Sequence, residues 1–183
     1  MRLLFVTGNS NKVREMQSIL QADVMQLSLN LPEIQAIEID DAIRSKAQRA
    51  YEEVKAPVLV EDTGLSFVAW KGLPGALIKW FMDTVGSIGI CRMLADETDR
   101  TAIAKCSFDL YDGHEHHLFS GAVRGRIAVE PRGQDGFGWD DIFIPDGQDR
   151  TFAEMEAEEK NSISMRKIAL DELRRFLACS TSV

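Results

Sequence analysis

The chain has 183 residues, of which 45% are hydrophobic and 27% are charged. This is the composition of an ordinary globular protein, and it excludes disordered, collagen-like and low-complexity chains. The apolar run nearest the N-terminus, Leu3–Val6, is far shorter than the roughly 20 residues that a membrane-spanning helix requires. Because a signal-peptide pattern is also lacking, we expect a cytoplasmic protein with no membrane partner.

The net charge is −8, from 21 basic and 29 acidic residues. An acidic chain repels the phosphate backbone of nucleic acids, so we expect no nucleic-acid partner. A small phosphorylated ligand remains compatible with this charge if a few lysines converge on it and a divalent cation neutralises nearby carboxylates. The three cysteines form no Cys-x-x-Cys motif, which predicts reduced thiols, two of them in the core.

The first half of the chain alternates between strand and helix patterns. Leu3–Val6 predicts a buried strand, residues 13–20 an amphipathic helix, and Val24–Leu29 a second strand. Residues 40–54 form a second amphipathic pattern, and Pro57–Val60 predicts a third strand that ends before Glu61. This strand-helix order indicates an α/β fold.

The second half has a different character. Helices are predicted around residues 76–82 and 87–94, and residues 101–110 alternate as a strand with one solvated face. Asp112-Gly113 is a hairpin-turn signal, and Leu118–Val129 predicts the returning strand.

A short strand at Phe143–Pro145 and a last helix over about residues 162–177 complete the prediction. We therefore expect a single domain over residues 1–183, built as two α/β lobes around a mixed twisted sheet.

Common phosphate-binding and metal-binding motifs are missing. The chain contains no P-loop motif, and Gly136-x-Gly138 lacks the third glycine of a dinucleotide-binding turn. The stretch 114–117, His-Glu-His-His, lacks the second histidine that a His-Glu-x-x-His zinc site needs. Because it follows the hairpin turn, we interpret it as a solvated sheet edge.

Thr7-Gly8-Asn9 follows a buried strand and precedes a helix whose first turn carries Lys12. Free backbone N–H groups at a helix start suit phosphate oxygens, and glycine allows a ligand to approach the backbone closely. A capped helix with a surface lysine explains the same residues, so this stretch alone leaves both interpretations open.

Two adjacent acids, Glu61 and Asp62, are predicted to follow the third strand. Ligands of open α/β sheets collect at the carboxyl ends of strands, where two carboxylates hold Mg²⁺, or one holds it while the other takes a proton from water. Glu33 and the acids of residues 38–41 offer further oxygen ligands. Helix-capping acids in a turn are the alternative, equally supported for residues 38–41 and less so for the Glu61-Asp62 pair.

Gly136–Asp140 places two aromatic residues, Phe137 and Trp139, beside glycines in a polar loop. Such side chains offer a stacking face for a planar nucleobase, although a hydrophobic plug over the sheet edge fits the pattern equally well. Lys160, Ser164 and Arg166 add a cation and donors at the start of the last helix.

Six segments together resemble the inosine triphosphate pyrophosphatase family, in the same order and over roughly residues 2–177. They are Thr7-Gly8-Asn9-x-x-Lys12, Val60–Leu65, Gly72–Gly75 with Ile78-Lys79-Trp80, Phe137–Asp140, Thr151–Met155, and Glu159-Lys160-Asn161 with Ser164-x-Arg166. The resemblance implies two α/β lobes with a cleft between them, usually in a homodimer. It also implies Mg²⁺-dependent hydrolysis of non-standard purine nucleoside triphosphates, such as those of inosine and xanthosine, to the monophosphate and pyrophosphate.

The resemblance also assigns roles to residues. Catalysis is assigned to Asp62, Lys12 and Lys46, and the metal or water to Glu33 and Asp62, with Glu61 nearby as a third metal ligand. The triphosphate is assigned to Thr7, Asn9, Lys12, Lys46 and Lys160, and the base to Phe137 by stacking and to Trp139, Asp140 and Arg166 along its edge. The remaining residues expected to contact substrate are Gly8, Thr63, Lys79, Trp80, Gly138, Ser164 and Met165.

Two departures from the family pattern concern base selection more than hydrolysis. Met165 stands where the family usually carries histidine, and Asp141 where it usually carries proline. Donors that match the 6-keto oxygen of inosine and xanthine would still reject adenine, which carries an amine there. Two other functions remain open: a related pyrophosphatase with a different modified-base preference, and a nucleotide-binding protein without catalysis. The intact Glu61-Asp62 pair and the lysines oppose the last.

Overall fold

The computed structural model describes residues 3–20 and 23–180 of the chain. Seven strands of these residues form one mixed sheet, with the path β2-β1-β3-β5-β6-β7 and β4 paired to β3. The strands are β1 Leu3–Val6, β2 Val24–Leu27, β3 Val58–Phe67, β4 Pro74–Gly75, β5 Thr101–Tyr111, β6 His116–Ile127 and β7 Phe143–Pro145. The first three strands run parallel and the others pair antiparallel, so the predicted α/β fold with a mixed sheet is confirmed.

Helices cover both faces of this sheet. They are α1 Ser10–Leu20, α2 Ile39–Val54, α3 Ile78–Thr84, α4 Gly86–Met93, α5 Ala157–Ile163 and α6 Met165–Ser180, with a 3₁₀ turn at Phe152–Glu154. Within the two described ranges, none of these helices is long and apolar enough to cross a membrane.

The alternation of side chains along the strands divides the core into two clusters. Leu3 and Phe5 of β1 pack with α1 and α6, whereas Val6 packs with the apolar stripe of α2 on the other face. Strand β3 follows the same rule, since Leu59 lies in the first cluster and Val60 in the second. Odd-numbered residues of β3 therefore face α1 and α6, and even-numbered residues face α2.

The largest difference from the sequence prediction is the length of β3. The predicted end at Val60 is wrong, because the strand continues to Phe67 and pairs with β5 in register from Val58 to Phe67. Glu61 and Asp62 thus lie in mid-strand. The predicted loop at residues 72–75 contains β4, which pairs with the extended part of β3.

The last predicted helix is two helices. The chain is extended at Ser164 (φ −74°, ψ 156°), and this residue separates α5 from α6. Its hydroxyl oxygen accepts a hydrogen bond from the backbone N–H of Lys167 at 3.2 Å, so Ser164 caps the first turn of α6. The cysteines agree with prediction: all three are free, Cys91 and Cys106 are buried, and Cys179 is exposed.

Candidate active site

A cleft of about 430 Å³ gathers residues from distant parts of the chain. Its walls come from the start of α1, the loop before α2, α2 itself, β3, α3, the loop 137–140 and the start of α6. Most of the residues that the sequence singles out line it: Thr7, Gly8, Asn9, Lys12, Glu33, Lys46, Asp62, Thr63, Lys79, Trp80, Phe137, Gly138, Trp139, Asp140, Met165 and Arg166.

The turn between β1 and α1 is held by its own side chains. Asn9 Oδ1 accepts hydrogen bonds from the backbone N–H groups of Asn11, at 2.9 Å, and Lys12, at 3.4 Å. Thr7 Oγ1 accepts from the N–H of Asn9 at 3.1 Å. Three N–H groups at this helix start are therefore capped by side chains, and Lys12 brings a cationic group to the cleft.

A second cationic group comes from α2. Lys46 Nζ lies 2.6 Å from Glu33 Oε1. Burial lowers the pKa of Lys46, but the carboxylates of Asp62 and Glu33 outweigh it and leave that pKa raised. The pKa of Glu33 is lowered, because Lys46 outweighs the opposing effect of burial. Both groups are thus held in their charged forms.

Asp62 faces the cleft from the α2 side of β3. Its Oδ1 accepts a hydrogen bond from the N–H of Thr63 at 2.9 Å. Burial raises the pKa of Asp62, and the ammonium groups of Lys12 and Lys46 oppose this only in part. A carboxylate with a raised pKa is a better proton acceptor than an exposed one.

Glu61, the neighbour of Asp62, lies on the opposite face of β3 and is only 2% exposed. Its Oε1 lies 2.7 Å from Arg166 and 3.5 Å from Lys12. The Arg166 guanidinium and the Lys12 ammonium overcome the effect of burial and lower the pKa of Glu61 to about 2. Glu61 does not line the cleft.

Further ion pairs connect Arg166 to Asp140 through two residues that do not line the cleft. Arg166 also pairs with Glu15 on α1, and Glu15 Oε1 lies 2.7 Å from Lys160 Nζ. Lys160 Nζ in turn lies 2.5 Å from Asp140 Oδ2. Lys160 is only 3% exposed and does not line the cleft, so its ammonium group meets carboxylates where the sequence suggested phosphate.

Phe137 lies against these cations. Its ring centroid is 4.7 Å from Lys160 Nζ and 5.6 Å from Arg166 Cζ, which places both cations within cation–π range. Its backbone N–H donates to Asp140 Oδ2 at 2.8 Å. The turn requires Gly136, which has φ +78° and whose missing Cβ would lie 2.4 Å from that same oxygen.

Trp139 and Met165 belong partly to the core. Trp139 is 7% exposed and packs edge-on against Phe143, with ring centroids 5.7 Å apart. Met165 is 2% exposed and joins the cluster beneath α6. Each presents a small apolar area to the cleft. Asp141 is absent from the cleft wall and accepts a hydrogen bond from Ser87 Oγ at 2.7 Å.

A model of the Ham1 family matches residues 3–176 of the chain. The chain belongs to the Ham1 family. It is 47% identical over 178 residues to the inosine triphosphate pyrophosphatase of Batrachochytrium dendrobatidis, covering 95% of this chain and 93% of that protein. The inosine triphosphate pyrophosphatase of Schizosaccharomyces pombe is 43% identical over 179 residues, with 96% and 94% covered.

Solved Ham1 structures share the fold. A HAM1 protein from Coxiella burnetii superposes with a TM-score of 0.86 at 29% identity, covering 97% of this chain and 98% of that one. A nucleoside-triphosphatase, described as a dITP/XTP pyrophosphatase, from Mycobacterium abscessus gives a TM-score of 0.75 at 30% identity, with 94% and 98% covered.

Sequence reasoning missed Glu15 of this Ham1 protein, which forms ion pairs with both Arg166 and Lys160. The available signal was its position three residues after Lys12, which places both side chains on one face of α1. It also missed cleft residues of the loop before α2 and of α3, among them Gln35, Met82 and Asp83. No motif marks these positions.

The histidine stretch lies outside the cleft. His114 is exposed, as predicted. The prediction of a solvated edge is wrong for His116, whose Nδ1 lies 2.6 Å from the buried carboxylate of Asp109 and whose ring stacks on Tyr111. His117 packs against Phe176. Packing against Tyr111 of β5 and Phe176 of α6 covers part of each ring.

Proposed function

We propose that this Ham1 protein is a nucleoside triphosphate pyrophosphatase that hydrolyses inosine and xanthosine triphosphates, and their deoxy forms, to the monophosphate and pyrophosphate. One observation carries the proposal: a single cleft joins Asp62, Lys12 and Lys46 to Phe137, Asp140 and Arg166. The first group suits a polyphosphate and an attacking water, and the second suits a purine. The relatives named above are pyrophosphatases of such nucleotides, which agrees with this chemistry.

In this mechanism Asp62 accepts a proton from the water that attacks the α-phosphorus. Burial raises the pKa of this carboxyl, which strengthens it as a base. The P–O bond to the β-phosphate breaks, and pyrophosphate leaves. Lys12 and Lys46 offset the negative charge of the phosphates inside an acidic protein.

Magnesium is the cofactor that we propose, carried to the cleft with the substrate. Within residues 3–20 and 23–180, no group of three or more His, Cys, Asp or Glu side chains is arranged to hold a metal ion. The cleft does offer two carboxylates, Asp62 and Glu33. This donor set fits Mg²⁺, which typically binds through one or two carboxylates together with substrate phosphates and water. Bound there, it would offset charge on the leaving pyrophosphate.

The residues on the side of the cleft near Phe137 select the base in this proposal. The ring of Phe137 offers a stacking face, and Arg166 is a permanent donor that suits the 6-keto oxygen of hypoxanthine and xanthine. Adenine presents an amine at that position, and a buried donor without an acceptor disfavours its binding. Met165 cannot donate a hydrogen bond and contributes an apolar contact.

We also propose that the protein acts in the cytoplasm. The free thiols, two of them buried, agree with a reducing compartment such as the cytoplasm. We further propose that the active species is a homodimer of the single-domain chain, and that its partner molecules are nucleotides. Light scattering of the purified protein tests the homodimer.

The test is pyrophosphate release from a nucleotide panel with Mg²⁺ present. We expect inosine and xanthosine triphosphates to give equal amounts of monophosphate and pyrophosphate, and adenosine triphosphate to react much more slowly. Release of orthophosphate together with the diphosphate would contradict the proposal. Removal of Mg²⁺ with EDTA should abolish turnover, and readdition should restore it. Faster hydrolysis of a modified pyrimidine nucleotide would favour the alternative base preference.

A further inference from the structure

The buried carboxylate of Glu61 makes several contacts to which the mechanism proposed above assigns no role. Its Oε1 contacts Arg166 Nη2 at 2.7 Å and Lys12 Nζ at 3.5 Å, and it accepts a hydrogen bond from Cys106 Sγ at 3.4 Å. One oxygen therefore joins three groups from three elements. The other oxygen, Oε2, is buried and has no hydrogen-bond partner among the residues that the structure describes.

We propose that Glu61 is a positioning residue that fixes Lys12, on the phosphate side of the cleft, relative to Arg166, on the base side. The inference rests on the proposed function, because it assigns those two sides to one substrate. Glu61 acts through its two partners. It does not line the cleft and touches neither the phosphates nor the base.

The position of Glu61 in the sheet favours this role over that of a metal ligand. Side chains of adjacent strand residues point to opposite faces, so Glu61 points towards α1 and α6 while Asp62 points towards α2. Two carboxylates that diverge in this way do not converge on one ion. Glu61 is also 2% exposed, which leaves no room for the water that Mg²⁺ retains.

The network around Glu61 gives the link its rigidity. Arg166 is 1% exposed, and its guanidinium is fixed by Glu61 on one side and Glu15 on the other. Bidentate and charge-assisted contacts of arginine are directional, so Arg166 can keep one orientation. Lys12 has a flexible stem, and its contact with Glu61 restricts the range of its ammonium group. Both cations are thus oriented before a nucleotide binds, which lowers the entropic cost of binding.

Two substitutions separate positioning from simple charge balance. Glu61→Asp keeps the charge but withdraws the carboxylate by one methylene from both cations. Glu61→Gln keeps the length and one acceptor oxygen but removes the charge. Arg166 retains Glu15 in either variant. Glu172→Gln is the matched control, since Glu172 accepts one hydrogen bond from the N–H of Ser120 and lies away from the cleft.

Three measurements are made on the full chain: KM and kcat for inosine and adenosine triphosphates, the Mg²⁺ concentration for half-maximal activity, and the Kd of inosine monophosphate by calorimetry without Mg²⁺. For Glu61→Asp and Glu61→Gln we expect KM for inosine triphosphate to rise about tenfold or more. The efficiency ratio between the two nucleotides should fall by a similar factor, and binding of the monophosphate should weaken. The Mg²⁺ requirement and the Glu172→Gln control should match the parent.

A Glu61→Asp variant with parental KM, selectivity and monophosphate binding would overturn the proposal. An increased Mg²⁺ requirement at unchanged selectivity would instead make Glu61 a metal ligand. If Glu61→Gln does not fold, Glu61→Asp decides, because it retains the buried charge. If the proposed function itself is wrong, the parent protein releases no pyrophosphate from inosine triphosphate. This result differs from every outcome that contradicts the role of Glu61.

Discussion

Asp62 and Glu61 are consecutive residues of β3, and their carboxylates lie on opposite faces of the sheet. Asp62 faces Lys46 and Glu33 across the cleft wall, whereas Glu61 pairs with Arg166 beneath the start of α6. Burial moves the pKa of Asp62 up, while the adjacent cations move that of Glu61 down to about 2. Two acids in one dipeptide therefore have different chemical roles.

The first prediction concerns Asp62 as the proton acceptor. Asp62→Asn should lower kcat on inosine triphosphate by ~10²-fold or more, because the amide is not a base. Stability should change little or improve, since the substitution removes a carboxylate whose burial is unfavourable. The measurements are steady-state kinetics and thermal melting. Asp41→Asn, at an exposed acid of α2, is the control. Turnover at the parental rate would remove Asp62 from the mechanism.

The second prediction contrasts Lys12 and Lys160, which the sequence analysis both assigned to the triphosphate. Lys12 lines the cleft, so Lys12→Ala should mainly raise KM for the triphosphate, since charge-assisted phosphate contacts contribute roughly 1.5–3 kcal/mol. Lys160 is enclosed by Glu15 and Asp140, so Lys160→Ala should cost stability of about 3–5 kcal/mol, the range for breaking a buried pair.

Urea unfolding and KM measurements on both variants test this contrast. Lys167→Ala, which removes a surface pair with Asp171 on α6, is the control and should shift neither quantity by much. Equal stability losses in Lys12→Ala and Lys160→Ala would show that the two lysines are structurally equivalent.

The third prediction concerns base selection at the start of α6. Arg166→Ala should collapse the preference for inosine over adenosine triphosphate, because the donor to the 6-keto oxygen is lost. Met165→His should change that preference by less than about tenfold, or ~1.4 kcal/mol. It should still lower the melting temperature, since Met165 is only 2% exposed and packs in the core. A parent protein that cleaves both nucleotides equally well would contradict this account.

The fourth prediction concerns stability in acid. The pKa of Glu61 is about 2 in the folded protein against an ordinary 4.5. A depressed folded-state pKa stabilises the protein fully above the unfolded value, and this contribution is lost as the pH falls from 4.5 towards 2. The loss is roughly 3 kcal/mol. Glu61→Gln should therefore show a shallower decline in the free energy of unfolding over that interval.

The measurement is urea unfolding of the parent and Glu61→Gln at a series of pH values. Glu172→Gln should keep the parental slope, because its partner is a single backbone N–H group at 3.2 Å. Parallel slopes for the parent and Glu61→Gln would mean that Glu61 does not contribute to acid unfolding.

The sequence by itself determined the features that depend on short stretches of chain. The apolar run of β1, the capping residues after it and Lys12 in the first turn of α1 are consecutive, so their arrangement follows from local backbone geometry. The apolar stripes of α1 and α2 follow from helical periodicity in the same way. These local features, with the motif resemblance, named most of the residues that line the cleft.

Only the tertiary structure decided which groups meet across the chain. β3 continues past Glu61 because β5 and β4 pair with it, and this long-range pairing overrides the turn propensity of Asp62-Thr63-Gly64. Because β3 continues through both residues, the side chains of Glu61 and Asp62 point to opposite faces of the sheet. Likewise, Glu15 of α1 and Lys160 of α5 lie 145 residues apart in sequence and form a pair because both helices pack against the same core cluster. Ion pairs at such separations leave no periodic trace in a sequence, since they arise from packing of whole elements.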